Sequence, residues 1–330
     1  MLNTAVVGMG RWGRVLVESV QRKNDAGIRF VAGSTGTPAK AADWAAQQGI
    51  RLHDSYAAVL ADPAVQAVAL ATPHKQHAEQ VIAAAAAGKH VFVEKPFTLS
   101  KASAEAAVAA CRKAGVVLAL GHNRRFLPAT LEMKRLLAEG ALGTVLHAEG
   151  HISGPAAAGW KEGMWRASRE ESPLGGMGGM GIHMVDMLVN LMGRFATVTV
   201  QSFPRVSPHV DDTTAMLARF ASGATCNFAT LALAPQSWRV ALFGTHGSLE
   251  MRGQQQLVFT PVPGAIPGET EAWTKDFPKV DIEAAELEAF AAAVAGGPAY
   301  PLPHDEAIHW VSVFETMIGA AASGSTYAVA

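Results

Sequence analysis

The amino-acid sequence predicts an α/β protein in two parts: a doubly wound parallel sheet, then an α+β domain with a large, open, mostly antiparallel sheet. Three observations carry this. Up to residue 121, short apolar runs alternate with helical patterns, the order that builds a parallel sheet with helices on both faces. Those runs are predominantly apolar and do not alternate, as expected of strands buried on both faces. Beyond residue 121 several runs alternate with period two, reading as strands with one buried face. The expected domains are therefore 1–121 and 122–330.

Taken in order, Thr4 to Val7 is a buried strand that runs into Gly8-Met9-Gly10-Arg11-Trp12-Gly13 and then a helix carrying Val15, Leu16 and Val20. Strand, GxGxxG and helix in this succession form a dinucleotide-binding fingerprint. Gly8 permits the turn, Gly10 lets backbone approach a pyrophosphate, and Gly13 lets helix and strand pack closely. The second strand, Arg29 to Ala32, is followed by Gly33-Ser34-Thr35-Gly36-Thr37-Pro38. No carboxylate stands there to engage a ribose 2′-hydroxyl or repel a 2′-phosphate. Ser34, Thr35, Arg11 and Lys40 can receive that phosphate, which tilts the cofactor toward NADP over NAD. The next strand, Ala64 to Leu70, ends in Ala71-Thr72-Pro73, a loop able to pass close to a cofactor. His74 and His77 after it read as surface-loop and helix-cap residues.

Val91 to Val93 is another buried strand, followed at once by Glu94, Lys95 and Pro96. A lysine at the carboxyl end of a parallel strand sits where open α/β sheets bind ligands, and partial burial suits it to proton transfer. After the strand Val116 to Leu120 comes a polar cluster containing Asn123, Arg124 and Arg125. Strands are then expected at 145–152, 198–203, 215–220, 225–232 and 238–243. Trp165-Arg166 and a glycine-rich run, 175–181, fall between the first two. That run opens a helix with His183 and Asp186 three residues apart, where a histidine can shuttle a proton or be satisfied by Asp186. Helices over 281–295 and 305–321 close the chain.

Composition excludes other classes. Among 330 residues, 27 Lys+Arg balance 28 Asp+Glu for a net charge of -1, which gives no basic footprint for nucleic acid or an anionic membrane. No apolar run is long enough to span a bilayer. Cys111 and Cys226 lie far apart, without metal-ligand or disulfide spacing, and His74 and His77 lack a carboxylate to complete a metal set. The N-terminus runs straight into a strand, without a signal-peptide pattern. A cytoplasmic protein with a small-molecule substrate, and no metal, is expected.

GMGRWG (8–13), ATPHKQH (71–77), VFVEKPF (91–97), GHNRRFLP (121–128) and GIHMVD (181–186) together resemble the Gfo/Idh/MocA family, the glucose–fructose oxidoreductase and inositol dehydrogenase group of NAD(P)-dependent enzymes. The resemblance implies a Rossmann domain and a second domain whose open sheet forms a homodimer or homotetramer face. It implies that Lys95 hydrogen-bonds the reacting hydroxyl and assists its proton transfer, that Pro96 follows a cis peptide bond, and that His183 is the acid/base or a substrate ligand. On the cofactor side stand Gly8, Gly10, Arg11, Trp12, Gly13, Ser34, Thr35, Lys40, Ala71, Thr72, Pro73, His77, Glu94, Lys95, Pro96 and Arg166. On the substrate side stand Lys95, Asn123, Arg124, Arg166 and His183. The chain departs from the family at Gly179, where members such as inositol dehydrogenase carry an Asp four residues before the histidine. Two functions follow. One is a dehydrogenase or reductase for a sugar, cyclitol, sugar acid or dihydrodiol acid, with Arg124, Arg125 and Arg166 as partners for a substrate carboxylate. The other is a catalytically silent NAD(P)-binding sensor on the same scaffold.

Overall fold

A computed structural model describes residues 1–265 and 271–330. The chain forms two compact units, one of residues 1–123 and 281–311, the other of residues 124–280 and 312–330. This differs from the expected division at residue 121, because a C-terminal segment returns to the first unit.

The first unit holds β1 (Leu2–Val7), α1 (Arg11–Gln21), β2 (Ile28–Ser34), α2 (Pro38–Gln47), β3 (Arg51–Leu52), α3 (Tyr56–Ala61), β4 (Ala67–Leu70), α4 (His77–Ala86), β5 (His90–Val93), α5 (Lys101–Ala114) and β6 (Leu118–Leu120). All six strands run parallel in the order β3-β2-β1-β4-β5-β6. The order reverses between β1 and β4, the switch point at which such sheets bind ligands. Every residue of β4 is buried, as a strand covered on both faces requires. In α1, Gly13, Leu16, Val17 and Val20 are buried at helical spacing. Ser100 caps α5 by accepting the Ser103 N–H, and Gly115 at φ 67° ends it in the left-handed region.

The returning segment carries α8 (Ile282–Val294), which Asp281 caps by accepting the Ala284 N–H. Phe290 of α8 meets Phe92 of β5 with ring centroids 6.0 Å apart. The Tyr300 hydroxyl donates to the Leu120 carbonyl at 2.7 Å, and the Asn123 amide donates to Glu283 at 3.0 Å. The last helix, α9 (His304–Ser323), is divided between the units at residue 311.

The second unit contains α6 (Pro128–Ala138), β7 (Val145–Ser153), α7 (Ile182–Met192), β8 (Phe195–Phe203), β9 (Thr213–Phe220), β10 (Thr225–Leu231), β11 (Ser237–Gly244), β12 (Gly247–Arg252), β13 (Gln256–Pro261), β14 (Trp273–Asp276) and β15 (Tyr327–Ala328). The nine strands pair in the order β14-β13-β12-β11-β7-β10-β9-β8-β15. Every pairing is antiparallel except β7 with β10. Alternation follows: Cys226, Phe228 and Thr230 of β10 are buried while the residues between them are not. The sheet is larger than the expected five strands, because β12 and β14 carry charged residues, β13 carries Gln256 and Thr260 among its apolar ones, and β15 is two residues long.

Candidate active site

In the first unit, backbone hydrogen bonds stitch the carboxyl ends of neighbouring strands together. Gly8 N–H donates to Ser34 O at 2.9 Å, Ala71 N–H to Val7 O at 2.8 Å, Glu94 N–H to Leu70 O at 2.9 Å, and Gly121 N–H to Val93 O at 2.9 Å. The glycine turn after β1, the Thr-Pro loop after β4 and Lys95 after β5 thus lie along one edge.

The glycines take the roles their spacing predicts. Gly8 has φ +94°, and a Cβ on it would lie 2.6 Å from the Ala71 carbonyl oxygen. A Cβ on Gly13 would run into the carbonyl of Gly8, whereas one on Gly10 would meet nothing within 4 Å. Gly10 therefore leaves open backbone at the start of α1. No side chain caps that helix and its first turn holds no acid, so its N–H groups and partial positive charge remain for an anion. The indole N–H of Trp12 is buried and has no hydrogen-bond partner among the described residues. An open backbone cradle, an uncapped helix start and an orphaned donor fit a dinucleotide diphosphate.

Ser34 is the last residue of β2 rather than part of the following turn, and is 4% exposed. Thr35 is half-buried, and Lys40 lies exposed in the first turn of α2, which has no side-chain cap and no acid. Arg14 ties this region to the glycine turn, its Nε donating to Met9 O at 3.3 Å and its Nη2 to Lys40 O at 3.1 Å. The sequence reading missed Arg14; its signal was only its place one residue past the motif.

His77 corrects an expectation. It is fully buried, not a surface cap, with Nδ1 2.8 Å from Pro96 O and Nε2 3.0 Å from Thr72 O. Both ring nitrogens face backbone carbonyls, so His77 ties the Thr-Pro loop to the loop after β5 along this edge. Burial pushes its pKa below the ordinary histidine value, against the backbone hydrogen bonds that favour the charged ring. His74 is also buried. Glu94 is buried, with its carboxylate packed over Gly121, where a Cβ would lie 2.7 Å from Oε1. It also accepts the Lys95 N–H at 3.2 Å. Lys95 itself is half-buried, and the Lys95–Pro96 peptide is cis. Asn123 is 1% exposed, and its amide donates to Glu283, which anchors the returning segment.

In the second unit, a π-helical turn of Met177–Gly181 leads into α7. His183 is buried, with Nε2 3.3 Å from Arg124 Nη1. A guanidinium cannot accept, so Nε2 is the acceptor and the ring proton sits on Nδ1. Asp186 receives Arg125 through Nε at 3.0 Å and 3.1 Å and Nη2 at 2.7 Å, a buried two-pronged ion pair. Arg125 is buried with Asp186 in this pair. Arg166 is exposed, with its guanidinium 4.1 Å from the Trp165 ring centroid.

Four of the five glycines around that turn are compelled by packing. Gly175 has φ +51°, and Cβ atoms on Gly176, Gly178 and Gly181 would crowd Ala232, Pro173 O and Met177. Gly179 is different. A Cβ there would meet only the Trp160 ring, at 3.6 Å, an ordinary contact. The indole of Trp160, a residue the sequence reading passed over, lies against bare backbone one turn before His183. Among the described residues no group of three or more His, Cys, Asp or Glu side chains could hold a metal ion. No described helix is long and apolar enough to cross a membrane.

Two family models match the chain. Residues 2–122 match "Oxidoreductase family, NAD-binding Rossmann fold", and residues 130–250 match "GFO/IDH/MocA C-terminal domain". A 2,7-anhydro-N-acetylneuraminate hydratase from Escherichia coli is 30% identical over 268 residues, 77% of this chain and 68% of that protein. A scyllo-inositol 2-dehydrogenase (NAD(+)) from Bacillus subtilis is 36% identical over 152 residues, 44% of this chain and 43% of that protein. The chain spans 41% and 51% of the first two curated relatives it matches. Among solved structures, a levoglucosan dehydrogenase in complex with NADH and L-sorbose superposes with TM-score 0.88 at 23% identity, covering 100% of this chain and 99% of that one. An oxidoreductase domain protein from Kribbella flavida superposes with TM-score 0.89 at 23% identity over 100% of both chains. These superpositions bear on the fold alone.

Proposed function

The chain belongs to the Gfo/Idh/MocA oxidoreductase family, and on that premise we propose that it is an NAD(P)-dependent dehydrogenase or reductase, with NADP preferred. Its substrate is a small polar molecule bearing a hydroxyl or carbonyl carbon: a sugar, cyclitol, sugar acid or dihydrodiol acid. The observation that carries the reading is Lys95, half-buried directly after β5, on the same sheet edge as the open glycine turn of β1.

When bound, the dinucleotide supplies the hydride chemistry. Lys95 hydrogen-bonds the substrate oxygen, and takes its proton as the alcohol becomes a carbonyl or returns it in reduction. Glu94, His77 and Gly121 hold the backbone on either side of Lys95. His183 offers a second proton-exchanging ring, oriented by Arg124, so Arg124 acts through His183 before it acts on substrate. NADP preference is supported by the absence of a carboxylate at the end of β2 and by the uncapped start of α2 beside Thr35 and Lys40. A homo-oligomer through the nine-stranded sheet is supported by Leu217 and Phe243, 65% and 36% exposed on its open face.

Lys95→Ala is the test. It should leave the Kd for NADPH within a few-fold of wild type and cut turnover by about 10²–10⁴, the usual worth of a positioned acid or base. Unchanged turnover would remove Lys95 from the chemistry. Net nicotinamide absorbance separates a dehydrogenase from a hydratase, the name one relative carries.

A further inference from the structure

We propose that the indole N–H of Trp12 is a ligand-binding donor, completed by an anionic oxygen of the dinucleotide's diphosphate; this rests on the dinucleotide reading above. The observation is the orphaned donor itself: Trp12 Nε1 is buried and has no partner among the described residues. Burying an N–H removes its bonds to water, and without an acceptor nothing offsets that loss. A phenylalanine would fill much of the same space without the loss. Two other indoles have acceptors: Trp44 Nε1 donates to Glu18 at 2.9 Å, and Trp238 Nε1 to the Met251 sulfur at 3.3 Å.

The surroundings define the missing partner. Trp12 is the second residue of α1, and side chains in a helix lean toward its N-terminus, here toward the glycine turn. Around that turn stand donors and positive charge. The first-turn N–H groups are uncapped, no acid is present in the turn, and the Arg11 guanidinium lies 5.8 Å from the Trp12 ring centroid. Gly10 leaves the backbone bare, with nothing within 4 Å of where a Cβ would stand. A site that offers donors without acceptors selects an anionic oxygen. Trp12 then adds one directed side-chain hydrogen bond to the backbone donors of the glycine turn.

The test uses the full chain with Trp12→Phe and, separately, 3-benzothienylalanine at position 12, which keeps the bicyclic shape and replaces the N–H by sulfur. Binding of NADH, NADPH and ADP-ribose is measured by calorimetry, and the thermal midpoint is read without ligand. The ligand-free midpoint should hold or rise in both variants, because an unsatisfied donor has been removed. All three Kd values should rise together by about tenfold or more, the worth of a hydrogen bond to a charged acceptor. Unchanged Kd values in the benzothienyl variant would overturn the proposal. A midpoint that falls in both variants would overturn it too, since the indole N–H would then serve the fold. Weaker NADH binding with unchanged ADP-ribose binding would move the acceptor to the nicotinamide half and overturn the diphosphate assignment. If the wild-type chain binds none of the three, the dinucleotide reading itself fails, which is a different result.

Discussion

The two glycine-rich stretches of this chain look alike as sequence and differ as structure. In 8–13, two glycines are compelled by backbone approach and one, Gly10, faces open space. In 175–181, four are compelled and one, Gly179, lies in ordinary contact with an indole. A glycine at which a Cβ would clash is there for packing. A glycine at which a Cβ would fit and whose φ is negative is compelled neither by packing nor by backbone conformation, although glycine carries an entropic cost. Gly10 and Gly179 are therefore the two glycines of these stretches that packing does not compel, one in each unit.

That contrast can be broken by four alanine substitutions. Gly13→Ala should have the largest effect, because its Cβ meets the Gly8 carbonyl and backbone must move; a loss of roughly 3 kcal/mol or more in denaturant unfolding is expected. Gly176→Ala should follow at about 1–3 kcal/mol, since its Cβ would stand 2.5 Å from that of Ala232. Gly10→Ala should change stability by less than about 1 kcal/mol while weakening dinucleotide binding about tenfold, as the new methyl occupies space the diphosphate needs. Gly179→Ala should move stability least, within about 1 kcal/mol and with a gain allowed by helix propensity. Equal losses at Gly10 and Gly13 in the ligand-free chain would collapse the distinction.

Much of the first unit was legible because its signals are local. Buried parallel strands are continuous apolar runs such as Val91 to Val93, and the GxGxxG turn sits where strand gives way to helix. The position of Lys95 follows from its strand alone. What stayed hidden depends on partners distant in sequence. Nothing in the apolar pattern of 282–294 says which sheet the helix covers, so the return of 281–311 to the first unit was not visible. Asp186 and His183 share a helix, and spacing alone left open whether they pair; Arg125, which donates to the carboxylate, lies 61 residues away. His77 read as a surface residue because histidines after a loop usually are, whereas the two carbonyls that enclose it come from separate loops. Strands β12 and β14 were not visible because short runs carrying Glu250, Arg252 and Lys275 read as loop, although pairing on either side of β13 makes them strands.

The measurement closest to the central claim is a parallel titration of the wild-type chain with NADPH and NADH, followed by nicotinamide fluorescence. Saturable binding of both is expected, tighter for NADPH, because no carboxylate ends β2 and Thr35 and Lys40 flank the uncapped start of α2. Binding of neither dinucleotide would contradict the claim that this sheet edge is a cofactor site.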